Sequence, residues 1–540
     1  MPTRMRWCAA ITCAAAIVGV LPTTAHASPI STQSTSDETG VTFERVATSG
    51  TVAPKLNADV PTSRLDIDRD GKDEIIVGAW RETGGYSVVV TYSGLPQRDY
   101  LTAPIRSGTR PNFGDTMTSG DFNADGHADL AIGNPGEYDA NGVAFGGAVW
   151  IFYGSPSGLD YKAPQHINQD TEGVPGTMEG NDMFADALAA GDLNGDGWDD
   201  LTVGAPGETI NGARYAGSVT VLYGGPTGLT TTGAQLFTQG TEGVPGDPEQ
   251  SDAFGAAVAV GDMTGDGYDD LAVSSPSEGE WSEPHEFGLI MLLKGGPGGV
   301  TTTGVTSFLG ISLGVGAMGD TMSIGDMDGD GDGDLVAGAP RSWIGRIVYV
   351  PGIPGGLDVA KAKVISMDTP GVPGDPYGGV GENSEFTGFG YALSTGDVTG
   401  DGRADVMTSA INYELQGIAD AGAVFLLPGT AEGLTGAGSV MLTRPAAPVP
   451  PTSPLHILGT AVAGDYFGQA TAILNLDGTG TLDMLVTTTE RSQGGLIVEL
   501  DPAYVVVPPR GRRLIGLTPV RVWTARDIGT FSAGHTLLHR

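Results

Sequence analysis

The chain has 540 residues, with 27 Lys+Arg against 64 Asp+Glu, for a formal net charge of −37. That balance repels phosphate and argues against nucleic acid as a partner. Eighty-seven glycines and 35 prolines would suit disorder, but 40% hydrophobic residues is enough apolar material for a core. The composition points instead to short strands joined by many tight turns.

Residues 1–27 read as a secretory signal. Arg4 and Arg6 precede an apolar run from Ala9 to Leu21, and Ala25-His26-Ala27 supplies a small-residue cleavage pattern. The run is shorter than the roughly 20 residues a membrane span needs. Cys8 and Cys13 both lie inside it, so the exported chain is expected to have no disulfide. Residues 28–40 read as a linker, and Val41 to Val46 as a strand that closes a ring.

An acidic pattern then recurs along the chain. Its copies begin Asp66-Ile-Asp68-Arg-Asp70-Gly71, Asp121-Phe-Asn123-Ala-Asp125-Gly126, Asp192-Leu-Asn194-Gly-Asp196-Gly197 and Asp262-Met-Thr264-Gly-Asp266-Gly267. Asp326-Met-Asp328-Gly-Asp330-Gly331 and Asp397-Val-Thr399-Gly-Asp401-Gly402 follow, and Asn475-Leu-Asp477-Gly-Thr479-Gly480 is a weaker seventh copy. An acid stands at each ninth position: Glu74, Asp129, Asp200, Asp270, Asp334, Asp405 and Asp483. Even spacing along the chain means one repeated supersecondary unit.

After each loop comes a short β-type run such as Leu201-Thr-Val-Gly-Ala-Pro206. A variable loop follows, then a second strand such as Ser218 to Tyr223, then a Gly/Pro turn such as Gly224-Gly-Pro-Thr-Gly228. No 3.6-residue periodicity is sustained, so helices should be scarce. Four short strands per unit predict an all-β, seven-bladed β-propeller with four-stranded antiparallel blades over residues 41–505. Residues 506–540 are left as a basic C-terminal tail, where Arg510, Arg512, Arg513, Arg521, Arg526 and Arg540 face only Asp527.

Oxygen donors at alternate positions, with Gly at the sixth to turn the chain, suit calcium, which takes about 6–8 oxygens. Side chains at positions one, three, five and nine, with the carbonyl at seven, are the expected ligands. Without a cation these carboxylates would repel one another. An EF-hand needs Glu at position twelve, where Val77, Ile132 and Val203 stand inside strands. Five to seven structural calcium ions are expected; the seventh loop keeps only Asp477 and Asp483 as carboxylates.

Phe113-Gly114 before an acidic loop and Gly204-Ala205-Pro206 after one resemble the FG-GAP repeat of integrin α-subunit propellers and their bacterial relatives. Phe184-Ala185, Met318-Gly319 and Ser274-Ser275-Pro276 depart from that pattern. In a meander, the acidic loops and the third-to-fourth-strand turns share one face. The opposite face carries Tyr138, Phe145, Tyr215, Trp281, His285 and Tyr413 on longer loops. In integrin propellers the corresponding face meets ligand, so the resemblance implies a ligand face here; packing within the loops is the competing reading.

Thr171-Glu-Gly-Val-Pro-Gly176, Thr241-Glu-Gly-Val-Pro-Gly246 and Thr369-Pro-Gly-Val-Pro-Gly374 read as shared turn chemistry. Gly310-Ile-Ser312-Leu-Gly314 matches a nucleophile motif but precedes a strand, not a helix, and reads as a chance match. The functional expectation is a secreted, calcium-binding scaffold for extracellular recognition or adhesion, monomeric, extracellular or loosely cell-wall associated. Its expected ligand is a protein or glycan. An extracellular hydrolase or lyase on the aromatic face is the alternative.

Overall fold

The computed structural model describes residues 31–36, 42–47, 65–80, 86–91, 97–103, 112–138, 145–279, 288–342, 344–376, 387–480, 482–489, 496–506, 512–524 and 532–537. Among the described residues there is no α-helix, only short 3-10 turns. The expected signal segment, residues 1–27, lies outside them.

The chain opens with β1 (Ser31–Ser36), β2 (Thr42–Ala47), β3 (Ile75–Trp80), β4 (Tyr86–Thr91) and β5 (Gln97–Ala103). The first four-stranded blade is β6 (Met117–Gly120), β7 (Asp129–Asn134), β8 (Ala148–Phe152) and β9 (Gln165–Ile167). The second is β10 (Ala187–Gly191), β11 (Asp200–Ala205), β12 (Ser218–Tyr223) and β13 (Thr230–Phe237). The third is β14 (Val258–Gly261), β15 (Asp270–Ser275), β16 (Leu289–Lys294) and β17 (Thr301–Leu309).

The fourth blade has β18 (Thr321–Gly325), β19 (Asp334–Ala339) and β20 (Arg346–Val350). After a small hairpin of β21 (Gly352–Ile353) and β22 (Gly356–Leu357) comes its outer strand β23 (Lys363–Ile365). The fifth is β24 (Phe389–Gly396), β25 (Asp405–Ala410), β26 (Ala423–Leu427) and β27 (Val440–Leu442). The sixth is β28 (Thr471–Leu474), β29 (Asp483–Thr488), β30 (Leu496–Val506) and β31 (Arg512–Thr524), and β32 (Ser532–Leu537) ends the chain.

Every blade is an antiparallel meander. Strands such as Ala148–Phe152 are buried at every residue, because each is covered by a neighbouring blade on both faces. That is why the sequence shows short continuous apolar runs rather than alternation.

Among the described residues there are six four-stranded blades, not the seven expected. The first repeat instead enters a six-stranded sheet ordered β1-β2-β5-β4-β3-β32. β2 does not close the ring: it pairs with β5, from Thr42↔Thr102 to Ala47↔Gln97, and so covers the outer edge of this sheet. At the other edge β32 pairs with β3, Val77 opposite Leu537 and Trp80 opposite Ser532. Each strand gives an open edge a hydrogen-bonding partner.

The sheet shares one core with both ends of the blade series. Val88 and Leu101 cluster with Phe113 and Trp150 of the first blade region and with Ala472 and Leu485 of the sixth. Within residues 506–540, expected as a basic tail, the described segments are strands: β31 is the outer strand of the sixth blade and β32 pairs with β3. Arg521, counted among the basic residues, pairs with Glu499 on the adjacent strand at 2.7 Å.

Blades are joined by the Phe of each Phe-Gly element. Phe113, Phe184, Phe254, Phe389 and Phe467 are all essentially without solvent exposure. Phe184 donates its N–H to the carbonyl of Gly146 at 3.0 Å, and Phe467 does the same to Ala421 at 3.1 Å. Gly147 sits against this joint at φ +86°, where a Cβ would lie 2.2 Å from the Phe184 carbonyl oxygen. Only glycine fits both demands. The three Val-Pro-Gly segments are turns between blades, closed by Val174 N–H to Thr171 O, Val244 to Thr241 and Val372 to Thr369, each at 3.0 Å.

Candidate metal centres in the acidic loops

From the second copy to the seventh, the acidic loop joins the first strand of a blade to the second, and its own carboxylates wind it. In the loop of the first blade, Asp121 accepts from the N–H groups of Asp125 at 3.0 Å and Gly126 at 2.8 Å. Asn123 accepts from Asp125 N–H at 2.9 Å, and Asp125 from His127 N–H at 2.9 Å. The glycine at position six is left-handed in every copy, with φ of +92° at Gly71, +85° at Gly126 and +89° at Gly197. A Cβ would be strained there.

The ninth acid is a brace. Asp129 accepts from Phe122 N–H at 2.9 Å within the loop and from Gly154 N–H at 2.8 Å in the third-to-fourth-strand turn. Asp200, Asp270 and Asp334 repeat this with Gly224, Gly295 and Gly352 at 2.9, 3.1 and 3.0 Å. The acidic loops and those turns thus share a face, as the meander requires.

Sequence-predicted donors converge most fully in two loops. Carboxylate oxygens of Asp66, Asp68 and Asp70, and those of Asp326, Asp328 and Asp334, lie within 4.8 Å of one another. Asp262, Asp266 and Asp270, with Thr264, are wound in the same way, as are Asp192, Asn194, Asp196 and Asp200. Asp397 and Asp401 keep the pattern, although Thr399 N–H goes to Asp405 at 2.9 Å. In the seventh copy Asp477 accepts from Thr479 N–H at 2.8 Å, while Asn475 takes the place of the leading acid.

Unpaired charge shows in the protonation behaviour. Burial pushes Asp129 and Asp200 up to about 8, against the opposing effect of their backbone hydrogen bonds. Asp68 is raised to about 7 by burial and then by the charges of Asp70 and Asp66. Glu74, fully buried, is raised well above the usual carboxylate range by burial first and Asp68 second. Buried oxygens of these loops without a hydrogen-bond partner include Asp68 Oδ2, Glu74 Oε1 and Thr264 Oγ1. All are hard oxygen donors in a bed of like charge, which is what a divalent cation of the calcium type fits.

Position eight was not singled out in the sequence, yet it ties the loops to one another. Asp199 accepts from Asp121 N–H at 2.8 Å, and Asp269 from Asp192 N–H at 2.9 Å. Asp73 accepts from Asn475 N–H at 2.7 Å across 402 residues, and its own N–H donates to the Asn475 carbonyl at 2.9 Å. The doubled acids of Asp199-Asp200 and Asp269-Asp270 were the available signal.

The proposed ligand face is less uniform. Tyr138 and Phe145 lean on each other with ring centroids 6.4 Å apart, and Tyr215 is half-buried. Tyr413 is not a surface group: it is buried in the fifth blade's core, and its hydroxyl accepts from Asp375 N–H at 3.4 Å. Trp281 and His285 lie outside the described residues. Ser312 sits on a 3-10 turn and donates its hydroxyl to Leu309 O at 2.6 Å.

A ring of meander blades wound on acidic loops defines a β-propeller with a repeated acidic loop. The chain carries five FG-GAP repeats, at residues 113–152, 184–222, 254–290, 318–349 and 389–427, and resembles the integrin α-subunit propeller. It is 34% identical over 198 residues to the rat (Rattus norvegicus) phosphatidylinositol-glycan-specific phospholipase D, covering 36% of this chain and 22% of that protein. It is 36% identical over 152 residues to integrin alpha-PS5 of Drosophila melanogaster, covering 26% of this chain and 14% of that one. The chain thus spans less than a quarter of these relatives' length. The solved rhamnogalacturonan lyase YesW aligns with a TM-score of 0.36 and 13% identity, over 77% of this chain and 73% of that one. No helix among the described residues is long and apolar enough to cross a membrane.

Proposed function

We propose that the chain is a secreted, calcium-loaded recognition scaffold, in which ions in the acidic loops hold the blades and the opposite face presents loops to a partner. The observation that carries this reading is the set of buried, unpartnered oxygens at Asp68, Glu74 and Thr264 inside loops already crowded with carboxylates. Calcium supplies the missing positive charge, and five to seven ions per chain are the number to test. The integrin relatives favour an extracellular protein or glycan as partner. Tyr138, Phe145 and Tyr215 remain the described aromatic groups of that face.

Two measurements decide the reading. Elemental analysis of protein purified without chelator is expected to find several calcium ions per chain, and EDTA to lower the melting temperature. Pull-down against matrix and cell-wall material is expected to capture a partner that is lost on changing Tyr138 and Tyr215 to Ala. A protein with no bound ion and no response to chelator sinks the proposal.

A further inference from the structure

On the face away from the acidic loops, up to three positions recur at the first-to-second, second-to-third, fourth-to-fifth and fifth-to-sixth blade junctions. One lies two residues past the blade's last strand, one lies two residues before the next blade's Phe-Gly Phe, and one lies in that next blade's second-to-third-strand loop. Between the fifth and sixth blades the first two are Arg444 and Asp465. Arg444 Nη1 meets Asp465 Oδ2 at 2.6 Å, with both side chains 3% exposed. Between the fourth and fifth blades the three are Met367, Thr387 and Tyr413, with no charge to balance.

Two junctions carry acids but no cation. Between the first and second blades the positions hold Gln169, Asp182 and Glu208. Gln169 Nε2 donates to Glu208 Oε2 at 2.5 Å, and Gly207 N–H donates to the Asp182 carbonyl at 3.0 Å, which brings the two loops together. Between the second and third they hold Gln239, Asp252 and Glu278, with Gln239 Nε2 donating to Glu278 Oε2 at 2.6 Å. Glu179 and Glu249 add a further acid to each, their N–H groups capped by Asp182 and Asp252.

Gln169 and Gln239 are 2% and 3% exposed, and the Oε1 of each has no hydrogen-bond partner. The same defect therefore appears twice, at the place where the fifth-to-sixth junction puts a guanidinium.

We propose that each of these two junctions binds a divalent metal cation of the calcium type. The ligands are Gln169 Oε1 with Asp182 and Glu208, and Gln239 Oε1 with Asp252 and Glu278. Amide and carboxylate oxygens without nitrogen or sulfur select a hard cation. The cation does there what Arg444 does for Asp465, so these sites clamp successive blades on the face opposite the acidic loops. They stand on observations independent of loop occupancy.

Equilibrium dialysis against about 1 mM calcium, in the range of extracellular sites, followed by elemental analysis counts the ions. Three proteins are compared with the natural one. Asp182→Asn with Asp252→Asn removes a ligand from each junction, and Gln169→Arg with Gln239→Arg copies Arg444. Asp66→Asn with Asp68→Asn is the loop control. Both junction pairs are expected to hold two fewer calcium ions, and the Arg pair to melt higher than the natural protein in EDTA. An unchanged count in both junction pairs overturns the proposal, even if the loop control loses its ion. Loss in the junction pairs but not the control upholds these sites and counts against the loops instead.

Discussion

Arg444 and Asp465 show how much one buried pair can carry in this ring. Arg444 also donates Nε–H to the Leu458 carbonyl at 2.8 Å, so its charge is held on two sides. Removing one partner of such a pair leaves the other charged and dry, at a cost of about 3–5 kcal/mol. Arg444→Met is expected to lower the urea midpoint accordingly. Adding Asp465→Leu should recover much of the loss, and equal losses in the single and double variants would refute the pairing. Asp186 offers a test by pH. Burial, with Asp115 as a nearby like charge, raises it to about 7, whereas an unfolded chain releases that proton near the ordinary aspartate value of 3.8. The folded state thus holds a proton the unfolded state has lost, and stability falls as pH climbs from about 4 to about 7. Asp186→Asn should flatten that fall, raising the melting temperature at pH 8 by several degrees, on a scale of about 2–4 °C per kcal/mol, and leaving it unchanged at pH 4. Neither effect could be foreseen from composition, because both depend on which acids are dry.

At the scale of loops and strands, the acidic repeat was legible because its chemistry is local. Asp121, Asn123 and Asp125 fold their own loop through hydrogen bonds spanning two to five residues. The eighth-position acids are not legible in the sequence because their partners belong to the preceding blade. Asp73→Ala tests this. Asn475 N–H would lose its acceptor, at about 1–3 kcal/mol for an unsatisfied buried donor. The expected readout is faster amide exchange at Asn475 and a lower urea midpoint, whereas Arg69→Ala, a neighbour outside the latch, should leave that exchange rate unchanged. Tyr413 taught the converse lesson: an aromatic on a variable loop was read as a binding group, but the loop folds it into the blade's own core.

For the whole molecule, the decisive experiment is addition of a chelator. A net charge of −37 and the calcium proposed for the acidic loops predict a chain that melts lower in EDTA and recovers on adding calcium. Each site that binds only the folded state adds about 2.7 kcal/mol at a hundredfold excess over its dissociation constant. A calorimetric melt indifferent to EDTA and calcium would contradict this. The repeat, its turns, the all-β class and the acidic loops could all be read along the chain, since each rests on contacts within about ten residues. How the ring closes could not. Whether β2 caps an outer edge or seals the ring, and whether residues 512–537 trail free or supply two strands, turns on pairings such as β2 with β5 and β32 with β3. Backbone hydrogen bonding is the same for almost any sequence, so only the packed neighbours decide which edge a strand joins.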